Sequence, residues 1–442
     1  MERILQLLPV GVEAEVYYTD ATDQSVSISA GRLQGINWRN LGGYALRVIK
    51  DGRLGFATAT TEDSIPWMVE AALATAELGR NISLAWPGAE SDAPAVDADL
   101  EQLSTEQLTG YVEMAAQLVG SLDPGWMVRA SASLRDCRTR IVNTAGGRGE
   151  TRSLYLSIGT GAELVGGQDI LNLHAGVSVS RLSELDLEAV VNATFGLLQQ
   201  SEGVIAPLTG GLMPVLLTSK AMSSVALGPL LAAFSGRNVL QGTSPLAGQQ
   251  GQQLFDEKLT LIDDATLPFA PSSAVVDDEG VPTRRFPLIE NGVIKGFMYD
   301  LQTAARAGTK STGHARKIGR TSGARLNSLP GPHISNVILQ PGEYSFPELL
   351  QEMGNGVIVD QISGTPGFNP SGEFSVTIQL GYLVRQGQVV GRIKNAMLSG
   401  SVFQALRQIR AIGREAHWSG GGESGARRIP AVVVDGLRVV TK

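Results

Sequence analysis

The stretch Val275–Ala315 reads VVDDEGVPTRRFPLIENGVIKGFMYDLQTAARAGTKSTGHA and decides the fold of the second half of the chain. Its apolar runs Phe286–Ile289 and Val293–Met298 flank the tripeptide Glu290-Asn291-Gly292. Asn-Gly between two such runs is a strong signal for a β-hairpin, because both residues tolerate a positive φ. The whole stretch therefore predicts strand, turn, strand, hairpin and then a short helix that ends in glycine.

The residues around this stretch continue the β pattern. From Leu259 onward, short β-like runs alternate with turns rich in Gly, Pro and Asn. Many short strands at regular spacing predict a β-sandwich or barrel-like domain. Three segments interrupt the pattern with helical character: Leu301–Ala307, Phe346–Met353 and Ser399–Ile409.

The first half of the chain predicts smaller α+β units. Its β-like runs are followed by helical segments, and Ser83–Asp99, rich in Pro, Ala, Ser and Asp, has no period and is typical of a linker. We therefore predict an α+β protein with small N-terminal α+β domains and a large β-rich C-terminal domain. The predicted divisions are an N-terminal domain 1–82, a linker 83–103, a middle domain 104–206 and the β-rich domain 207–442.

Composition narrows the function classes. The 442 residues carry a net charge of -7, which argues against a nucleic-acid partner, since such proteins usually present a basic face. The single cysteine, Cys137, excludes an internal disulfide and a multi-cysteine zinc cluster. The N-terminal segment lacks the pattern of a signal peptide, and no apolar run approaches the ~18 residues that span a bilayer. We expect a cytoplasmic protein with no membrane partner.

Four segments, in this order, resemble the TldD/PmbA family. They are GRLQGINWRNLGGYALRVIKDGRLGFATAT (Gly31–Thr60), the stretch quoted above with its tail STGHA, GTPGFNPSGEFSVTIQLGYLVRQGQVV (Gly364–Val390) and IPAVVVDGLRVV (Ile429–Val440). That family contains paired metalloprotease subunits once described as modulators of DNA gyrase. The resemblance implies a large β-rich C-terminal domain that faces the same domain of a second subunit.

The metal motif of the active subunit is missing. In the TldD-type subunit, the resemblance implies a His-Glu-x-x-x-His helix at the start of the C-terminal domain and a cysteine later in that domain. The corresponding helix here, KAMSSVALGPLLAAFSGR (Lys220–Arg237), has no His, Glu or Asp, and Cys137 lies in the middle domain. The nearest equivalents of the motif fall around Ser224–Pro229, with the register left open. Zinc needs imidazole, thiolate or carboxylate ligands, and their absence here resembles the PmbA (TldE) subunit, the partner that lacks its own metal site. We predict no catalytic residue, metal ligand or cofactor in this chain, and zinc in its partner.

The histidines offer no replacement for that motif, because no two have the spacing of a ligand pair. They are His174, His314, His333 and His417. The STGHA segment gives the first candidate peptide-binding group, Thr312, Gly313 and His314. The alternative is that Thr312 and His314 hold a loop by hydrogen bonds.

A second candidate peptide-binding group lies in the strand GEFSVTIQLGYL (Gly372–Leu383). An extended peptide can pair with such a strand through its backbone. We name Gly372, Phe374 and Val376 as the residues concerned. The alternative is that this strand only builds the β-core.

Three further features could suggest a metal site or a nucleophile, but each has a simpler structural interpretation. The clusters Asp263-Asp264 and Asp277-Asp278-Glu279 lack the alternating ligand loop of an EF-hand, and the second is more simply a turn. Cys137 has no histidine nearby in sequence and is more simply a small buried residue.

We interpret the chain as the non-zinc subunit of a cytosolic TldD/PmbA-type metalloprotease. It would complete the chamber of a zinc-bearing TldD-like partner that acts on peptides or unfolded proteins, and it would be inactive alone. Two alternatives stay open: a homodimeric scaffold or regulator without protease activity, and an enzyme with a site around His314 and Asp263-Asp264.

Overall fold

The computed structural model describes residues 1–122, 125–166, 169–200, 203–318, 324–364 and 371–441. Residues 365–370, which belong to the segment Gly364–Val390 quoted above, lie outside the described residues. The predicted α+β class is confirmed, with an antiparallel sheet region first and a β-rich region after it.

The N-terminal region is built on one seven-stranded sheet in the order β3-β2-β1-β5-β6-β4, with β7 paired to β6. Every pairing is antiparallel except that of the short β4 with β6. Its strands are β1 (Glu13–Ser29), β2 (Arg32–Lys50), β3 (Arg53–Ala59), β4 (Glu90–Ser91), β5 (Met127–Asn143), β6 (Arg148–Gly166) and β7 (Asp169–Val179).

Two of the longer helices, α4 (Thr105–Gly120) and α5 (Leu187–Gln200), pack against this sheet. α4 begins with a capping box in which Ser104 and Gln107 satisfy each other's backbone N–H groups. Its apolar positions Leu108, Val112 and Val119 recur at helical spacing and are fully buried. The helices of this region are α1 (Glu2–Leu5), α2 (Ile65–Glu77), α3 (Ala98–Glu101), α4 (Thr105–Gly120) and α5 (Leu187–Gln200), with short 3-10 turns at Glu62–Ser64 and Leu182–Glu184.

The two predicted N-terminal domains share this sheet. β1 comes from the predicted domain 1–82 and β5 from 104–206, and they pair from Glu15 opposite Asn143 to Ser29 opposite Arg129. The exact domain boundaries stay a prediction, but residues on both sides of the predicted linker belong to one hydrogen-bonded layer.

The C-terminal region is rich in short strands, as the sequence predicts. The strands are β8 (Gly211–Leu217), β9 (Leu261–Asp264), β10 (Arg285–Glu290), β11 (Val293–Ile294), β12 (Ala315–Arg316), β13 (Gly331–Pro332), β14 (Asn336–Leu339), β15 (Gly356–Ser363), β16 (Glu373–Arg385), β17 (Gln388–Arg392), β18 (Ala396–Ser401), β19 (Ile409–Ile412), β20 (Trp418–Gly420), β21 (Ala426–Arg428) and β22 (Val432–Thr441). The helices are α6 (Ser219–Met222), α7 (Gly228–Ala233), α8 (Gly236–Leu240), α9 (Leu301–Ala307), α10 (Ala324–Asn327), α11 (Phe346–Met353) and α12 (Val402–Ala405), with a π-helical turn at Ser223–Leu227 and a 3-10 turn at Gly422–Ser424.

Five of these strands close into a barrel. The order β15-β8-β22-β18-β16 returns to its start because β16 also pairs with β15. Closure removes the open edges that these strands would otherwise expose. β17 and β19 extend the sheet outside the ring, and a second sheet runs β11-β10-β9-β14-β21-β20.

The predicted hairpin is confirmed. Asn291 and Gly292 have φ values of 47° and 77° and connect β10 to β11. The predicted helix Ser399–Ile409 is wrong in extent, since β18 runs to Ser401 and only Val402–Ala405 is α-helical. Strand pairing with β16 and β22 overrides the local helical pattern there.

The barrel and the N-terminal sheet share a core. Val215 and Leu217 of β8 pack in one buried cluster with the barrel interior, whereas Leu216 between them packs in a second cluster with Leu156 of β6. Alternate residues of one strand thus serve two cores, because successive side chains point to opposite faces. No helix within the described ranges is long and apolar enough to cross a membrane.

Candidate functional site

The segment Lys220–Arg237, predicted to be the counterpart of the zinc-motif helix, is not one continuous helix: α6, a π-helical turn and α7 follow one another to Ala233, and α8 begins at Gly236. Thr218 caps α6 by accepting a hydrogen bond from the N–H of Ala221. A π-helical turn over Ser223–Leu227 then leads into α7. Pro229 has no N–H to offer the carbonyl of Val225, which favours such a local change of hydrogen-bond pattern.

This helix offers its apolar side to the barrel core and its hydroxyls to a cavity. Val225, Leu227 and Leu230 are at most 1% exposed. Ser223 and Ser224 line the cavity. Since neither alanine, leucine nor serine is a good zinc ligand, the residues present here do not fit a catalytic metal.

An ion pair stands at the start of the same helix. Lys220 Nζ lies 2.9 Å from Oδ2 of Asp360, which is fully buried on β15. Lys220 also donates to the carbonyl of His174 at 3.1 Å. Burial, aided by the positive charge of Lys220, lowers the pKa of His174. The pair therefore fixes β7 of the N-terminal sheet against β15 of the barrel.

Two amides reinforce this contact with β7. Gln361 Nε2 donates to the carbonyl of His174 at 3.3 Å, and Gln379 Nε2 donates to the carbonyl of Asn172 at 2.9 Å. Side chains of the barrel thus satisfy backbone carbonyls of the last strand of the N-terminal sheet.

The cavity, which we call the interdomain cavity, has a volume of about 1170 Å³. One wall comes from β1, β5, β6 and β7 of the N-terminal sheet. The remaining lining comes from α5 and the loop before it, α6 and the π-helical turn after it, α11, Asp360 and the stretch between β19 and β22. His174 and His417, distant in sequence, both line it. The volume exceeds the roughly 300–1,000 Å³ of ordinary small-ligand pockets.

The first predicted peptide-binding group lies inside the C-terminal domain. Thr312 is 7% and His314 1% exposed, and Gly313 has the positive φ of 74° that its tight turn requires. His314 Nδ1 lies 2.9 Å from Thr312 Oγ1, and its Nε2 lies 3.2 Å from Asp263 Oδ2. Thr312 in turn accepts a hydrogen bond from the N–H of Tyr299 at 2.8 Å. These contacts correspond to the loop-holding alternative, and the peptide-binding role stays a prediction.

The geometry also bears on the alternative enzyme site. His314 and Asp263 lie next to each other, as the hypothesis of an enzyme site around them requires. Both side chains are 2% exposed, and neither residue lines the interdomain cavity. Asp263 further accepts the N–H of Ser335 at 2.8 Å. The pair is thus enclosed and hydrogen-bonded within the domain, where it holds β9 and β14 together with the STGHA segment.

The second predicted group lies in the barrel. Phe374 and Val376 of β16 are 8% and 5% exposed and belong to the barrel core, while a Cβ added at Gly372 would meet the ring of Phe403 at 2.5 Å. β16 pairs with β18 from Glu373 to Thr377. Peptide binding by this group stays a prediction, and the contacts described correspond to the core-building alternative.

The acidic cluster at Asp277–Glu279 builds a turn, as its simpler interpretation predicts. Asp277 accepts backbone N–H groups of Glu279, Val281 and Ala315 at 2.9 to 3.0 Å. Among the described residues, no three His, Cys, Asp or Glu side chains come together to hold a metal ion. Cys137 is buried and accepts a hydrogen bond from Arg325 at 3.1 Å.

The sequence analysis did not predict two clusters of charged side chains: the trio Glu15, Arg47 and Glu279, and the pair Lys220 and Asp360. Arg47 of β2 binds Glu15 at 2.9 Å and Glu279 at 2.8 Å, with all three side chains at most 4% exposed. Glu15 and Arg47 each stand in a strand at a position flanked by apolar residues, and Asp360 directly follows the apolar run Val357–Val359. A single charged residue within an apolar strand is the sequence signal for a buried ion pair, because a buried charge needs a partner of opposite charge.

Comparison with known proteins shows which family the chain belongs to. Residues 210–441 match the PmbA/TldA metallopeptidase C-terminal domain, and residues 14–76 match domain 1 of the same metallopeptidases. The chain belongs to the PmbA/TldD metallopeptidase family. Among its relatives, a metalloprotease of Methanocaldococcus jannaschii is 24% identical over 444 residues, covering 95% of this chain and 94% of the relative. A metalloprotease of Archaeoglobus fulgidus is 34% identical over 192 residues, or 43% of this chain and 42% of the relative.

Solved structures of the PmbA/TldD type share the fold. TldE from Thermococcus kodakarensis superposes with a TM-score of 0.86 at 24% identity, covering 97% of this chain and 96% of that one. A Thermotoga maritima protein described as a candidate modulator of a DNA gyrase superposes with a TM-score of 0.84 at 24% identity, covering 99% of both chains. The family's name implies a metal, yet Thr218–Ala233 supplies no ligand for one.

Proposed function

We propose that this chain is the non-zinc, TldE-like subunit of a heteromeric PmbA/TldD-type metallopeptidase. The proposal rests on two facts taken together. The chain belongs to a metallopeptidase family, and its helical segment from Ser223 to Ala233, apart from Gly228 and Pro229, carries only apolar and hydroxyl side chains. Zinc, the general base and the cysteine would come from a TldD-like partner. This chain would contribute binding surface.

The interdomain cavity supports such a role. It lies between the N-terminal sheet and α6 and is large enough for a segment of extended chain. Its contribution to the reaction would be positional: holding substrate in one orientation and excluding water lowers the entropic cost of reaching the transition state. The bound zinc of the partner would activate water and polarise the peptide carbonyl.

The test is reconstitution with a zinc-bearing family member. We expect this chain alone to contain no stoichiometric zinc and to cleave no peptide, and the mixture to cleave unfolded protein faster than the partner alone. Zinc is measured per chain in each preparation. One zinc per chain together with peptide cleavage by this chain alone would overturn the proposal, and an unchanged rate in a stable mixture would favour the scaffold alternative.

A pair of variants separates binding surface from chemistry. Ser223→Ala and Ser224→Ala remove the hydroxyls that the helix presents to the cavity, and we expect the rate of the reconstituted peptidase to change less than about threefold. Abolished turnover with zinc content and assembly intact would give this helix a catalytic role and contradict the proposal.

A further inference from the structure

Arg427, in the wall of the interdomain cavity, is a cation for which the described part of the chain shows no carboxylate counter-ion. It lies on β21, is partly buried and lines the cavity. Its Nε is shielded from solvent and has no hydrogen-bond acceptor, and among the described residues no carboxylate forms an ion pair with it. Burial lowers the pKa of Arg427.

Two other guanidinium groups of this chain, those of the buried Arg47 and the half-buried Arg152, are paired with carboxylates. Burial acts to lower the pKa of Arg47, but Glu15 and Glu279 raise it above its ordinary value. Arg152 likewise lies 2.6 Å from Asp136, whose hydrogen bond raises the pKa of the arginine. A desolvated charge without a partner is costly. Arg427, by contrast, has no carboxylate partner among the described residues and is available to an anionic ligand in the cavity.

Charges of both signs surround Arg427, since Glu184, Asp186 and Glu415 line the same cavity. Burial lowers the pKa of His333; the positive charges of Arg316 and Arg427 lower it further, whereas Asp263 raises it. Arg316 is 5% exposed and donates to the carbonyl of Ser272 at 3.1 Å. The planar guanidinium fork matches a carboxylate better than any other cationic side chain does.

The opposite wall is shaped for an extended chain. Ser25, Ser133, Ser157 and Ser178 stand opposite one another on β1, β5, β6 and β7, and all four line the cavity. The parallel row Ser27, Ser131, Gly159 and Gly176 lies one pair further along. Short hydroxyl side chains leave the wall flat and polar, so that backbone amides of a ligand can pass over it and find hydrogen-bond partners.

We propose that the interdomain cavity binds an extended peptide through a carboxylate held by Arg427, with the serine rows as the facing wall. The carboxylate is either the C-terminus of the peptide or an acidic side chain. In choosing a peptide, this inference rests on the proposed function. It adds that this chain has its own preference for anionic peptides, independent of the partner's zinc.

The test uses the full chain alone and fluorescent hexapeptides, with binding followed by anisotropy. Four peptides separate the two sources of the carboxylate: one alanine-rich peptide with a free C-terminus, the same peptide amidated, an amidated peptide with one internal Glu, and its Gln counterpart. At least one carboxylate peptide should bind about tenfold or more tightly than its neutral counterpart, a difference of about 1.4 kcal/mol, because charge-assisted hydrogen bonds are stronger than neutral ones.

Matched variants assign the preference to Arg427. Arg427→Gln should remove the tenfold difference between charged and neutral peptides. Arg428→Gln is the control, because Arg428 is the exposed neighbour on β21, whose Nε donates to the carbonyl of Ala416 at 3.3 Å. Ser131→Trp should weaken all four peptides alike, since Ser131 is exposed on the cavity wall and a large side chain there fills the space.

Several results would overturn the inference. They are equal affinity for charged and neutral peptides, an unchanged preference in Arg427→Gln with its thermal unfolding intact, an equal loss in Arg428→Gln, or displacement of the peptide by inorganic phosphate at equal concentration. None of these concerns zinc or the partner. The reconstituted peptidase can therefore work while this inference fails, and the reverse outcome is equally distinguishable.

Discussion

At the scale of single residues, buried charges join distant parts of this chain. Arg47 connects β1 and β2 with the turn at Glu279, 232 positions away in sequence. Nearby, Asp278 binds Arg325 at 3.1 Å. Breaking a buried pair by removing one partner typically costs about 3–5 kcal/mol, because the other charge is left uncompensated. These contacts therefore fix how the N-terminal sheet meets the C-terminal domain.

Lys317 is the buried charge with the clearest consequence for pH. It is fully buried, with Nζ 4.2 Å from the centroid of the Tyr17 ring and 5.6 Å from that of Phe56. Its Nζ has no hydrogen-bond acceptor among the described residues. Burial lowers the pKa of Lys317 from 10.5 to about 8, against the opposing effect of neighbouring carboxylates. The charged groups that act on it are Glu15, Arg47, Asp278 and Glu279.

We predict that the free energy of unfolding rises between pH 8 and about pH 9.5. Over this range the unfolded chain keeps the Lys317 proton while the folded chain releases it, so the cost of burying the charge disappears. The rise is up to about 2 kcal/mol, from roughly 1.4 kcal/mol per pH unit. Burial raises the pKa of Tyr17, which keeps its proton throughout this window. Urea unfolding at several pH values measures the effect.

Replacement of Lys317 by methionine isolates that contribution. Lys317→Met should be more stable than the parent at pH 7 and should lose the rise above pH 8. Lys295→Met is the control, since Lys295 is exposed and pairs with Glu290 on the surface. A rise that persists in Lys317→Met would assign the effect to another group.

At the scale of elements, β16 shows how a barrel strand divides its residues. Phe374, Val376 and Ile378 are buried, whereas Glu373, Ser375 and Thr377 are exposed. A charge at Val376 would lie in the barrel core without a partner, and the same charge at Ser375 would remain in water. We predict that Val376→Asp lowers the free energy of unfolding by about 3–5 kcal/mol. Ser375→Asp should change it by less than about 0.5 kcal/mol.

The same strand tests the peptide-binding role predicted for Val376. In Val376→Ala the loss of stability should be milder, and peptide affinity should be unchanged if Val376 serves the core alone. Loss of affinity in a folded Val376→Ala, with Ser375→Ala unaffected, would restore the predicted peptide contact. Denaturant melts and peptide binding on the same preparations decide between these outcomes.

At the scale of the whole molecule, we predict a dimer through the C-terminal domain, either with a TldD-like partner or with a second copy. Open sheet edges would favour dimerisation, but the five barrel strands already pair with one another in a closed ring, so their edges need no partner. Exposed apolar side chains supply another reason: Leu212 is 65% exposed on β8, Val440 42% on β22 and Val390 41% on β17. Light scattering of the full chain should show a dimer, alone or in the mixture, and a stable monomer in both would contradict the prediction.

Much of this architecture was predictable from the sequence. The α+β class, the β-rich second half and the Asn291-Gly292 hairpin all follow from local patterns, in which residue type limits backbone angles or the face that a side chain occupies. Asp277–Glu279 as a turn also follows, since the Asp277 carboxylate binds backbone N–H groups within a few residues and at Ala315.

The tertiary structure alone decided the rest. Closure of the barrel depends on β15 and β16 meeting again, and the shared N-terminal sheet depends on β1 pairing with β5 across the predicted linker. The pairing of Arg47 with Glu279 and the place of Arg427 in the interdomain cavity also join segments far apart in sequence. A sequence specifies what each residue is able to do locally. Which charge meets which carboxylate, and which meets none, is determined only when distant strands are packed against one another.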